Sequence, residues 1–212
     1  MNETAALVIE STAYFLALIN PASKIFLLST MDPPYTFKDL WRISLRSTLV
    51  ALFILAVLAS SGKVVLGVVF HVEIYSLNVA GGIILFIVGL TAVRKGRFYE
   101  ETALSSVSAF SIVPLAAPLI AGPGTITAAI YFSSLHGVPM TMVCISIALL
   151  INFLIMLSSL HIGEALEKVN ATGPIIRITG LIVTAVATQM ILSGGETWIR
   201  EVFSLTEMVS MY

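Results

Sequence analysis

Leu18-Ile19-Asn20-Pro21-Ala22-Ser23 and Ile120-Ala121-Gly122-Pro123-Gly124-Thr125 interrupt two long apolar runs at matching places. Proline lacks a backbone donor and its ring clashes with the preceding helical turn, while glycine loosens a helix. In a soluble helix such breaks mark an end. In a chain this apolar they open polar backbone at membrane depth, where irregular backbone is tolerated only inside protein or against a water-filled cavity. Breaks at corresponding points of two halves are the best sequence pointer to a transporter's binding site.

The surrounding composition sets the class. Of 212 residues, 58% are hydrophobic and 11% charged, and mean hydropathy is +1.00. A soluble domain carries about 25% charged residues. Residues 102–163 contain no Asp, Glu, Lys or Arg. About 20 apolar residues cross the hydrocarbon as a helix, so that stretch alone holds two spans. The apolar runs are continuous rather than alternating, which argues against an outer-membrane barrel. The fold class is an all-α membrane protein.

The formal net charge is −1, so no basic surface for nucleic acid is implied. Cys144 is the single cysteine, so no internal disulfide forms, and it reads as a buried inert thiol. His71, His136 and His161 stand alone, without metal-ligand spacing. No metal and no cofactor are expected. The first basic residue is Lys24, which argues against a cleaved signal peptide.

Six apolar segments can be drawn, at roughly 5–30, 40–69, 75–93, 107–134, 140–162 and 174–194. The first and fourth hold the breaks. The connections are short, so the chain reads as a single transmembrane domain. Lys38, Arg42 and Arg46 follow segment one. Arg94, Lys95 and Arg97 follow segment three, and Lys168 and Arg177 follow segment five. The other side has only Lys63 and Arg200. Basic loops face the cytoplasm, so both termini are expected outside, in a multi-pass protein of the cell membrane.

Pro21 and Pro123 stand 102 positions apart, and Ala80-Gly81-Gly82-Ile83 aligns with Thr179-Gly180-Leu181-Ile182 at an offset of 99. Each half then holds three spans, repeat one at about 5–93 and repeat two at about 107–194. An odd number inserts the halves in opposite directions. The expectation is a 3+3 inverted repeat with helices 1 and 4 broken near the midplane.

Asn20 lies about ten residues beyond Glu10, roughly 15 Å along a helix, which is close to mid-bilayer. Each break opens a new helix N-terminus just after its proline. Such ends carry unpaired N–H groups and partial positive charge, and they bind anions. The carbonyl end before a break suits an ammonium group or a cation. Opposed donors and carbonyls describe a site for a zwitterion. The residues placed there are Asn20, Pro21, Ala22, Ser23, Gly122, Pro123, Gly124 and Thr125. Candidates to line the cavity are Lys24, Asn78, Thr127 and Gln189. For Lys24 the favoured reading is a side chain snorkelling to the cytoplasmic interface. Asn152 reads as packing glue between helices, and Gly81, Gly82 and Gly180 as points of close helix contact.

The run Val113-Pro114-Leu115-Ala116-Ala117-Pro118-Leu119-Ile120-Ala121-Gly122-Pro123-Gly124 resembles the signature of the MarC family of integral membrane proteins. Asn20-Pro21, Ala80-Gly81-Gly82-Ile83-Ile84-Leu85-Phe86 and Arg177-Ile178-Thr179-Gly180 resemble its first, third and sixth helices. The chain departs from the family pattern at Ser23, where Gly is usual, and near Phe26, where Pro is frequent. The resemblance implies six transmembrane helices. It also implies transport of small neutral amino acids such as glycine and alanine, driven by an ion gradient. The expected function is therefore a secondary transporter working by alternating access, with H⁺ or Na⁺ as coupling ion. An exporter of amino acids or drugs with the same fold, or a non-transporting membrane protein, is the alternative. No enzyme is expected, since no His or acid lies at membrane depth to activate a serine.

Overall fold

The computed structural model describes residues 3–29, 36–69, 71–96 and 120–210, with side chains except at 63 and 204–210. Over these ranges the chain is helical, without strands. Helix α1 (Glu3–Ile19) stops at Asn20, whose φ of 56° is left-handed. Asparagine tolerates that conformation better than other non-glycine residues. The Asn20 N–H closes the last turn on the Leu16 carbonyl at 2.9 Å. Pro21 then opens α2 (Pro21–Ser29) at the first helical position, where its missing donor matters least.

Helix α3 (Phe37–Val64) begins at a capping box. The Thr36 hydroxyl accepts from the Asp39 N–H, and the Asp39 carboxylate accepts from the Thr36 N–H. It ends in a wider π turn over Val65–Val69. Helix α4 (Ile74–Lys95) ends on Gly96, whose φ of 68° suits glycine and whose N–H bonds to the Ala92 carbonyl. Helix α5 (Pro123–His136) turns at Gly137, φ 81°, into α6 (Val138–Leu157). Helices α7 (Ser159–Lys168) and α8 (Thr172–Ser210) complete the described chain.

Five helical stretches are long and apolar enough to cross a membrane: Glu3–Ser29, Phe37–Gly62, Ile74–Lys95, Val138–Leu157 and Thr172–Phe203. They match five of the six predicted segments. Of the fourth segment, 107–119 lies outside the described residues, and its second half is α5. Two boundaries are corrected. The predicted span 140–162 kinks at Ser158, which leaves the helical region between α6 and α7. The predicted span 174–194 is the first half of α8, which runs to Ser210. There Arg200 bonds to Glu196 at 2.7 Å, four residues apart on an exposed face.

Helices α4 and α8 pack antiparallel along a seam of small residues. Gly194 lies against Tyr75 and Val79, Gly82 against Ala187 and Ile191, and Gly89 against Gly180 and Thr184. Small residues let backbones approach where no hydrophobic drive separates protein from lipid. At one end Arg177 donates to the Val93 carbonyl at 2.8 Å. On the outer faces Ile83, Ile87, Leu181 and Ile182 are exposed, as lipid-facing side chains are. Trp41 stacks edge-on against Phe153, joining α3 to α6. Phe15 meets Phe132 likewise, joining α1 to α5. Gly62 of α3 lies against Ile130 of α5, and Gly163 of α7 against Ser29 of α2.

Candidate functional site

The two breaks meet. A cavity of about 50 Å³ is lined by residues 18–20 at the end of α1 and by residues 122–125 at the start of α5. Ile84, Leu85 and Val88 of α4 and Val183 of α8 form its other walls. The carbonyl end of one helix and the N–H end of another therefore share one small space.

The α5 end is built to offer donors. Gly122 is extended (φ −78°, ψ 172°), no side chain caps the helix, and the first helical bond is from the Ile126 N–H to the Gly122 carbonyl. The backbone N–H groups of a helix's first turn have no partner within the helix. Gly124 is where a bulkier residue would intrude: an added β-carbon would lie 3.0 and 3.1 Å from the two Leu85 methyls. Thr125 is buried beside it.

The α1 end is built around Asn20. It is 6% exposed, and its amide oxygen has no hydrogen-bond partner among the described residues. A buried amide oxygen without a partner carries a desolvation cost of about 1–3 kcal/mol. A ligand that donates to it recovers that energy. The Asn20 backbone carbonyl is engaged: the Ser23 hydroxyl donates to it at 2.8 Å and the Ser23 N–H at 3.2 Å.

Lys24 overturns the snorkelling expectation. It is fully buried, and its ammonium turns back toward the break, donating to the Ile19 carbonyl and, at 3.4 Å, to that of Asn20. The reason is local. The left-handed turn at Asn20 leaves the last carbonyls of α1 without helical partners, one helical turn from Lys24, and a helix C-terminus attracts cations.

The other sequence candidates separate. Asn20, Gly122, Pro123, Gly124 and Thr125 line the cavity. Ser23 is folded onto the Asn20 carbonyl. Pro21 is half-buried at the break itself. Ala22 faces a second cavity of about 460 Å³ between α2, α7 and the start of α8. Thr127 is buried behind the first cavity, against Gly81. Asn78 is buried on α4 but is not among the lining residues. Gln189 is exposed on α8 and does not line the cavity. Ile176, Gly180, Val183, Ala187 and Met190 form the buried stripe of α8, at helical spacing, and Gln189 falls outside it.

Sequence reasoning missed the apolar walls, Ile84, Leu85, Val88 and Val183, and the second cavity with Glu164 and Glu167 on its rim. The signal for the walls was available. Leu85 stands one helical turn beyond Gly81 and Gly82, on the seam that packs α4 into the protein. No group of three or more His, Cys, Asp or Glu side chains placed to hold a metal occurs among the described residues. None of the residues lining the cavity at the breaks is charged. What this arrangement can do is bind: it offers donors on one side, an amide oxygen on the other, and apolar walls between.

Comparison with known proteins bears on what carries this arrangement. A UPF0056 membrane protein of Pyrococcus horikoshii is 34% identical over 187 residues, covering 88% of this chain and 92% of that protein. The UPF0056 inner membrane protein YhgN of Escherichia coli K12 is 31% identical over 206 residues, covering 94% of this chain and all of that protein. A Bacillus subtilis relative, UPF0056 membrane protein YvbG, is 29% identical over 189 residues, 84% of this chain and 89% of its own length. No solved structure matches. The model of the MarC family of integral membrane proteins matches residues 5–199, both breaks and the α4–α8 seam included, and the chain belongs to that family.

Proposed function

We propose that the chain is a secondary transporter of small neutral amino acids, of the size of glycine and alanine, working by alternating access in the cell membrane. The observation that carries this reading is the shared cavity at the two breaks. The substrate carboxylate would face the opening N–H groups of α5, and its ammonium the Asn20 amide oxygen. A space of about 50 Å³ with Gly124 and Leu85 at its wall favours a ligand of a few heavy atoms.

The reading includes a 3+3 inverted repeat of six helices, with α1–α2 and the segment ending in α5 as the broken pair. Two contacts support it. Gly163 follows Gly62 by 101 positions, and Ile130 follows Ser29 by 101, so the pairs Gly62–Ile130 and Ser29–Gly163 are related by one offset. A two-fold axis in the membrane plane generates such reciprocal contacts. The antiparallel α4–α8 seam has the same property, since these are the third helices of the two halves.

Uptake of labelled glycine and alanine into liposomes holding the purified chain, under imposed H⁺ or Na⁺ gradients, tests the function. Gradient-dependent accumulation of both is expected, and a flux no greater than in empty liposomes would refute it. Gly124→Leu places its side chain on Leu85 and fills the cavity. It is expected to lower glycine uptake at least about tenfold with normal membrane insertion, the loss that follows from about 1.4 kcal/mol of binding. Unchanged uptake by this variant would remove the cavity from the pathway. For topology, a reporter fused after Tyr212 is expected to signal from outside the cell. A cytoplasmic signal would reverse the assigned orientation.

A further inference from the structure

Among the described residues, the carbonyl end of α1 offers oxygens beside the cavity of the kind a coupling cation takes. The Ile19 and Asn20 carbonyls and the Ser23 hydroxyl lie within five residues of chain at the break, and all three residues are buried. Half-helix C-terminal ends of this kind hold Na⁺ in transporters with broken helices. In this chain an ammonium is already there. Lys24 donates to the Ile19 and Asn20 carbonyls from one turn away, and its whole side chain is buried in reaching them.

We infer that the Lys24 ammonium is a tethered cation occupying the carbonyl end of α1, so that this position takes no free Na⁺. The inference deepens the transporter reading by assigning one of its cation positions, and it rests on that reading only for its meaning in a transport cycle. The physical ground is direct. A lysine ammonium is a compact unit charge with three donors, close in demand to a small cation bound by carbonyls. A Na⁺ at this position needs the carbonyl lone pairs that the ammonium already uses, so the two compete for one place. The dipole of α1 holds whichever cation is present.

Removing the tether should open the position. In Lys24→Ala the three oxygens remain and the charge is gone, while Lys24→Met keeps the apolar stem. The measurement is the thermal unfolding midpoint of the purified, detergent-solubilised full chain in NaCl and in choline chloride of equal ionic strength. The wild-type chain is expected to show equal midpoints. The variants are expected to gain Na⁺-dependent stabilisation, about 4 °C when Na⁺ is tenfold above its dissociation constant. A Na⁺-specific rise in the wild-type chain would overturn the inference, as would variants that fold and ignore Na⁺. Should neither variant fold, the wild-type comparison still decides, equal midpoints supporting the inference and a rise in Na⁺ ending it. Uptake plays no part in this readout. A chain that moves no glycine would end the transporter reading and leave the cation position standing.

Discussion

Asn20→Gly is expected to insert and fold normally while taking up glycine at least about tenfold more slowly than the wild-type chain. The backbone at this position has φ 56°, which glycine adopts without steric penalty. The Asn20 N–H and carbonyl, which hold the break together through Leu16, Ser23 and Lys24, are unchanged. What disappears is the side-chain amide, whose oxygen is buried beside the cavity without a partner among the described residues. A hydrogen bond to a charged ligand group contributes about 1.5–3 kcal/mol, or about 10- to 150-fold in affinity. Asn20→Leu gives the contrast. It loses the same amide and also forces a branched side chain into the left-handed region, at about 1–2 kcal/mol. Both variants should lose uptake, and only the leucine variant should also lose several degrees of thermal midpoint. Liposome flux together with melting in detergent separates the two effects. Wild-type flux from Asn20→Gly would exclude the amide from substrate recognition.

Gly180→Val should destabilise the protein more than any other single change considered. A β-carbon at Gly180 would lie 2.7 Å from the Ala92 β-carbon and 3.0 Å from the Gly89 carbonyl oxygen and the Val93 nitrogen. Two of the three obstacles are backbone, so no rotamer change relieves them, and α4 and α8 must move apart along the seam. Overpacking of this kind costs about 1–3 kcal/mol and more when backbone is displaced. With two backbone obstacles the cost is about 3 kcal/mol, and at about 2–4 °C per kcal/mol for a chain this long the midpoint should fall by about 6–12 °C. Gly195→Ala, on the same helix, is the control. A β-carbon there meets nothing within 4 Å, so its midpoint should stay within about 2 °C or rise slightly. Equal behaviour of the two variants would mean that the seam does not hold the helices together.

The fold class, five of the spans, the break at Asn20 and the helix start at Pro123 were legible because each rests on a one-dimensional signal. Apolar runs of spanning length are visible without neighbours, and proline after asparagine or glycine states its effect on the backbone directly. Lys24 was misread for a definable reason. From sequence it is a lysine in an apolar run, and such side chains reach outward to water. Its inward course depends on the Asn20 turn exposing carbonyls one helical turn away, which only the conformation of the break reveals. The kink at Ser158 was equally hidden, because residues 154–160 read as one uninterrupted apolar stretch with two serines. Gln189 shows the opposite failure. Its place on the outer face of α8 followed from the spacing of Val183, Ala187 and Met190, and a polar residue in an apolar span drew more attention than that spacing.

Because α4 and α8 interlock through glycine at three levels, neither can slide past the other, and they must travel as one stiff plank. A membrane machine containing such a plank has to bend somewhere else. Asn20 and Gly122 are among the places where the helical ladder is interrupted, so the points proposed to hold the cargo would also serve as hinges.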